Sequence, residues 1–200
     1  MDFGTSKSLS GIGALFIVIA TIGSAVPYLG FLGLIGIILL LIGLKGLADV
    51  YKEQGIFNNT LYSIIIAIIG GIVAVAAVVI MAVATLASIG IDLGSIGDWA
   101  TLGTELGNYF ADFANFSQLW TIIGAAIVGL VILYVSLIIS MYFVRNSMNQ
   151  LSLKTGIGLF GTAGLLMLIG AVLTIIVIGL ILIWIGWVLA TVAFFRMKKP

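Results

Sequence analysis

The sequence predicts an all-α fold, a polytopic transmembrane bundle of six spans in which two helical hairpins flank two central helices. Of the 200 residues, 62% are hydrophobic and only 8% are charged. That composition leaves too little polar surface to cover a water-soluble domain. Four long apolar blocks run along the chain, and the charged residues lie outside them. We therefore expect a multi-pass membrane protein, and the positions of its basic residues favour both termini in the cytoplasm.

Four blocks give six spans because two of them are long enough to cross twice, at about 20 residues a crossing. The block 11–44 contains a cluster of glycine, serine and proline around Pro27, which favours a turn. In the block 156–195 we expect the turn near residues 170–174. The predicted spans of this single membrane domain, residues 1–200, are 9–26, 29–50, 60–90, 119–144, 156–172 and 175–195.

The positions of the basic residues favour six spans over four. With six, all eight Lys and Arg residues face the cytoplasm, as the positive-inside rule expects. If the first and last blocks each crossed the membrane only once, these basic residues would lie on both faces of the membrane. Re-entrant hairpins would give the same topology, so the pattern leaves open whether 9–26 and 156–172 cross completely.

The N-terminal segment also has features of a secretory signal. Lys7 precedes an apolar run that ends near the small residues Gly23 and Ala25. We expect the segment to be retained as the first span.

Small residues recur on one face of several predicted spans, where they let helix backbones approach closely in lipid. Small residues that are seven positions apart lie on the same face of a helix. Packing within the bundle is the expected role, and a homo-oligomer interface is the alternative. The matching spacing in the second and sixth spans also suggests that the two hairpins are related by a pseudo-twofold axis. The predicted helix-packing residues are Gly36, Gly43, Gly70, Gly71, Ala125, Gly129, Gly179 and Gly186.

The outer segment 92–118 has an apolar stripe at helical spacing, with acidic residues along its edge. An amphipathic helix at the membrane interface is the expected structure. A lid on the bundle and a docking face for a partner are alternatives. Acids seven residues apart on a helix are too distant to share one cation. The stripe consists of Trp99, Leu102, Leu106, Tyr109, Phe113, Phe116 and Trp120.

Two polar features lie at the predicted membrane faces. Asn115 begins an N-glycosylation sequon on the outer side. At the inner end of the second span, Lys45, Asp49 and Lys52 have the spacing of helix-surface ion pairs, which favours an anchoring role.

Several kinds of chemistry have no residues to support them. The chain has no cysteine and no histidine, so thiolate catalysis and imidazole-ligated metals are excluded. Its net charge of +1 does not favour nucleic acid as a partner. We expect no enzyme activity, no catalytic residues, no cofactor and no metal.

Four stretches of the chain resemble a known family: residues 11–15, 41–49 with Tyr51, 56–59, and the closing segment 155–195. The family is an uncharacterised, mainly archaeal integral membrane family, a domain of unknown function of the 996 type. The resemblance implies an archaeal-type cytoplasmic membrane and supports the order of the spans. It carries no activity and no functional residues.

The leading functional hypothesis is a non-enzymatic membrane protein that acts by packing. It would be an accessory or structural subunit of a larger membrane complex, or a homo-oligomer, in contact with the lipid bilayer. The competing hypothesis is a channel or transporter for a neutral or lipid-like solute, which needs a path lined by hydroxyl groups. A membrane-shaping role is a third interpretation, without specific support in the sequence.

Overall fold

The fold is all-helical in the part of the chain that the computed structural model describes, residues 1–22, 30–88, 103–104, 107 and 116–199. Six described helices are long and apolar enough to cross a membrane, so the prediction of six helices is confirmed. They are α1 (Phe3–Ile22), α2 (Gly30–Val50), α3 (Gly55–Ser88), α4 (Phe116–Thr155), α5 (Gly158–Val172) and α6 (Ile178–Arg196).

The chain divides into two compact units. Unit 1 contains Met1–Ala67 and Leu137–Pro200, and unit 2 contains Ile68–Ser136. Unit 1 therefore holds α1, α2, α5 and α6 with one end of α3 and of α4. Unit 2 holds the remaining parts of α3 and α4.

In unit 1, α1 packs against α2 and α6, and α5 packs against α6. Fully buried leucines of α2, such as Leu44 and Leu47, belong to one core with Met148 of α4. Phe160 and Phe194 join α5 to α6 in an edge-to-face contact, with ring centroids 4.9 Å apart. This core includes residues from all six helices, with α3 and α4 contributing from their ends in unit 1.

Helix α4 continues well beyond the predicted fourth span, which ended at residue 144. The polar segment 145–155, expected as an inner connection, is helical. Val144, Met148 and Leu151 recur at helical spacing and are buried. Gly156, with φ +71°, then ends the helix, and its amide donates to the Ser152 carbonyl at 2.9 Å.

The turn between α5 and α6 lies slightly later than the predicted 170–174. A 3-10 turn, Leu173–Ile176, follows α5. Val177, with φ +63°, then directs the chain into α6. The Val177 amide donates to the Thr174 carbonyl at 3.0 Å, and the Leu180 amide donates to the Val177 carbonyl at 3.0 Å. The turn thus satisfies these backbone donors internally.

The predicted outer amphipathic segment 92–118 lies almost entirely outside the described residues. Its last positions, from Phe116, form the first turn of α4.

Candidate functional site

The predicted packing glycines of α2 lie against α1. A methyl group on Gly36 would be 2.7 Å from the Gly13 carbonyl oxygen, and one on Gly43 would be 2.5 Å from the Ser10 nitrogen. Gly13 itself faces the α2 backbone at Leu40. Only hydrogen fits at these positions, so the two backbones touch within the chain.

Helices α5 and α6 meet in the same way. A methyl group on Gly170 would lie 2.6 Å from the Gly179 carbonyl oxygen, and one on Gly186 would lie 3.0 Å from the Ala163 carbonyl oxygen. The seven-residue glycine pair thus has the same role in α6 as in α2. Both pairs are used in contacts within one chain.

In unit 2, the adjacent glycines of α3 differ. Gly70 faces the Ser136 side chain of α4, and Gly129 of α4 faces Val78. Around Gly71, no described atom lies within 4 Å of where a methyl group would be. Ala125 lies on α4, but its side chain is outside the described part of the chain.

Hydroxyl pairs join α3 to α4 in unit 1. Thr60 Oγ1 donates to Ser147 Oγ at 2.9 Å, and Ser147 Oγ donates to the Ile56 carbonyl at 2.6 Å. The Ser63 and Ser140 hydroxyls are 2.8 Å apart and share a hydrogen bond. Other hydroxyls donate to the carbonyl one turn earlier in their own helix: those of Thr21, Thr85, Thr162, Thr174 and Thr191.

An apolar groove of about 360 Å³ lies between α3 and α4 in unit 2. Ala74, Ala126 and Gly129 are the small residues that line it, and valine and leucine side chains form its walls. Gly71 precedes two of the wall residues, Val75 and Val78, by four and seven positions, so it lies on the same face of α3.

Charged residues gather at one end of unit 1. Lys7 Nζ, on α1, donates to the Met197 carbonyl at 2.8 Å, which joins the first turns of α1 to the end of α6. Lys154 Nζ lies 3.2 Å from Glu53 Oε2. The N-terminal end of α1, the start of α3, and the ends of α4 and α6 therefore lie together.

The predicted cluster of Lys45, Asp49 and Lys52 is at this end, and all three residues are exposed. Asp49 Oδ1 accepts a hydrogen bond from Gln54 Nε2 at 3.0 Å. In the described part of the chain, Glu53 and Lys154 form the ion pair of this region, and neither lysine of the cluster pairs with Asp49.

A cavity of about 280 Å³ opens beside these residues, lined by Tyr51, Lys154, Thr155, Ile157, Arg196, Lys198 and Lys199. Burial raises the pKa of the Tyr51 phenol above its ordinary value of 10.0, so this group remains a neutral hydrogen-bond donor. Sequence reasoning assigned the terminal cations to topology alone. The sequence does contain a signal for this cavity. Lys154 lies in a polar segment, and Arg196, Lys198 and Lys199 follow the last apolar block.

Most of the predicted outer sites lie outside the described residues, including Asn115 and the stripe from Trp99 to Phe113. Phe116 begins α4, without a described side chain. Trp120, the last member of the stripe, lies on α4 and is 66% exposed.

Comparison with known proteins agrees with the family resemblance. A family model described as "Protein of unknown function (DUF996)" matches residues 32–188. The chain is also 28% identical over 198 residues to "Uncharacterized protein MJ1644" of Methanocaldococcus jannaschii, an alignment that covers 98% of this chain and 94% of that protein. No solved structure matches the chain.

Proposed function

The chain belongs to the DUF996 family of proteins of unknown function, and from this premise we propose that it is a non-enzymatic structural protein of the cytoplasmic membrane. It assembles with further copies of itself through unit 2. The observation that carries the proposal is the open, small-residue groove between α3 and α4.

The polar groups of the described helices support a packing role. The Thr60, Ser63, Ser140 and Ser147 hydroxyls bond to other hydroxyls or to a backbone carbonyl. A path for a neutral solute would need such hydroxyls directed toward water. Their engagement favours a structural role over the channel or transporter alternative.

The groove suits a helix of another subunit. In lipid, apolar burial does not drive helix association, so close contact over small residues has to supply the attraction. The other packing glycines, from Gly36 to Gly186, are occupied by contacts within the chain. Gly71 and the groove beside it are left for a contact between chains.

A second copy is the favoured occupant because a twofold interface uses the same patch on both subunits. Each copy carries a small-residue groove and the exposed aliphatic ridge of Val75 and Val79 beside it. The ridge of one copy can enter the groove of the other. The lining is almost wholly apolar, which matches aliphatic side chains better than a polar ligand.

The test is the native mass of the full-length protein in mild detergent, with every co-purifying chain identified. We expect a closed homo-oligomer. Ala126→Leu fills the groove and should weaken assembly by at least about tenfold, since a loss of 1.4 kcal/mol is sufficient. Ala76→Leu, also on an exposed alanine but outside the groove, should leave the mass unchanged.

Three results would overturn the proposal. A stoichiometric chain of another kind would make the protein an accessory subunit. A monomer at all protein concentrations would direct attention to transport. Equal effects of Ala126→Leu and Ala76→Leu would show that the groove is not the interface.

A further inference from the structure

We propose that the cavity at the charged end of unit 1 binds the phosphate of an anionic phospholipid. It combines four cations, a neutral phenol donor and adjoining exposed apolar side chains. The site is separate from the groove of unit 2 and does not depend on assembly.

The cavity is rich in unpaired positive charge. Lys154, Arg196, Lys198 and Lys199 all line it. In the described part of the chain, the carboxylate that forms an ion pair with one of these cations is Glu53, which pairs with Lys154. Arg196 and the two terminal lysines are left without a carboxylate partner there, and a bound anion would offset their mutual repulsion.

The helix dipoles account for only part of this charge. Lys154 and Arg196 lie in the last turns of α4 and α6, where the dipole favours a cation. Lys198 and Lys199 lie beyond the end of α6. The helix dipoles therefore do not account for the positive charge of these two lysines.

Contacts within unit 1 position the cavity walls. The hydrogen bond from Lys7 to the Met197 carbonyl fixes the backbone between Arg196 and Lys198. Thr155 and Ile157 also line the cavity, and the Ile157 amide donates to Thr155 Oγ1 at 3.3 Å. Arginine, lysine and phenol donors together are the chemistry that recognises phosphate.

The surroundings favour a lipid over free phosphate. Leu153, next to Lys154, is 76% exposed, and Phe195, next to Arg196, is 48% exposed. A phospholipid can place its phosphate in the cavity and its chains along these side chains. Inorganic phosphate would make no use of them. Basic pockets at the ends of transmembrane helices have this arrangement where they bind anionic headgroups.

The experiment measures lipid retention by native mass spectrometry of the full-length protein. It is reconstituted in vesicles of phosphatidylcholine with a minor fraction of phosphatidylglycerol, and then extracted in neutral detergent. The test variant is Lys198→Gln with Lys199→Gln. The matched control is Lys45→Gln with Lys52→Gln, which removes the same charge from the same end, outside the cavity.

We expect wild type to retain phosphatidylglycerol over phosphatidylcholine. At about fivefold per cation, the test pair should lower its affinity about 25-fold, while the control pair changes it less than about twofold. Equal losses in both pairs would reduce the site to general surface charge and overturn the proposal. So would a wild-type protein without preference for the anionic lipid.

In a separate arm, inorganic phosphate that binds without lipid and displaces phosphatidylglycerol would assign the cavity to a soluble anion and overturn the lipid assignment.

Discussion

Gly43 and Gly124 both lie inside helices, but a methyl group would meet very different surroundings at the two positions. On Gly43 it would meet the α1 backbone at Ser10 and Ser6, whereas no described atom lies within 4 Å of its place on Gly124. Gly43→Ala should lower the free energy of unfolding in detergent by about 1–3 kcal/mol, because α2 must move away from α1. Thermal unfolding of the purified protein measures the change.

Gly124→Ala is the matched control. It should leave stability unchanged or raise it by up to about 1 kcal/mol, since alanine is the better helix former. If Gly43→Ala were as stable as Gly124→Ala, the close contact of α1 with α2 would be wrong.

Seven-residue spacing was enough to find Gly36, Gly43, Gly179 and Gly186 in the sequence, because the spacing defines a helix face. It could not separate Gly70 from Gly71. Adjacent residues differ by about 100° around a helix, and only the position of α4 decides which of the two is covered. The charge count likewise placed the terminal cations on one side without showing that they surround a cavity.

Ser147 gives a second test at a single residue, because its hydroxyl joins α3 to α4 through Ile56 and Thr60. Ser147→Ala should lower the free energy of unfolding by about 0.6–1.7 kcal/mol, the range of interhelical hydrogen bonds in membranes. Ser8→Ala, at an exposed serine of α1, should be neutral in the same thermal unfolding assay. Equal stability of the two variants would contradict a structural role for the hydroxyl pairs.

At the scale of elements, the turn between α5 and α6 depends on a backbone conformation that valine disfavours. Val177 has φ +63° and ψ −34°, which costs on the order of 1–3 kcal/mol for a β-branched residue. Val177→Gly should therefore stabilise the protein by about 1 kcal/mol in thermal unfolding. Ile176→Gly, one residue earlier within the 3-10 turn, gains no such relief and should be neutral or destabilising. If Val177→Gly destabilised the protein, the backbone strain inferred at Val177 would be wrong.

The same turn predicts how deeply α5 enters the membrane. Gly164 of α5 contacts the backbone of Arg145, which is exposed on α4. From Gly164, α5 and the 3-10 turn extend about 20 Å farther, less than the roughly 30 Å of a hydrocarbon core. The turn itself is apolar, with Ile175 72% exposed. With Arg145 at the interface, the turn would end inside the lipid and α5–α6 would re-enter.

Ile175→Cys should therefore resist a membrane-impermeant maleimide both in intact cells and in inverted vesicles. Lys52→Cys is the control, and it should react in inverted vesicles. Labelling of Ile175→Cys from outside intact cells would show that α5 crosses completely.

The C-terminal end of α4 could not be predicted from the sequence. Hydropathy ended the fourth span at Val144, because Arg145 and several amides follow. The helix continues because Met148 and Leu151 are buried against other helices of unit 1, and that burial depends on tertiary contacts. Gly156 is a helix-stop signal that the sequence does contain, although the predicted fifth span begins there.

At the scale of the whole molecule, contacts in unit 1 restrict the number of crossings. Lys154 lies at the end of α4 and Lys198 follows α6, yet both line one cavity. A single crossing between them would place them on opposite faces of the membrane. An even number of crossings, or a re-entrant pair, brings them back to the same face. The contact of Lys7 with Met197 places the start of α1 there too.

The side of the membrane follows from charge, and it gives the last prediction. Positively charged ends remain in the cytoplasm, so the end with Lys7, Lys154 and Lys198 should be cytoplasmic. Lys198→Cys and Lys52→Cys should then react with the impermeant maleimide only in inverted vesicles. Glu105→Cys, in the acidic segment expected outside, should react in intact cells. Labelling of Lys52→Cys from outside would reverse the topology and place the proposed lipid site in the outer leaflet. Reaction of Lys198→Cys and Lys52→Cys on different sides would contradict the shared end itself.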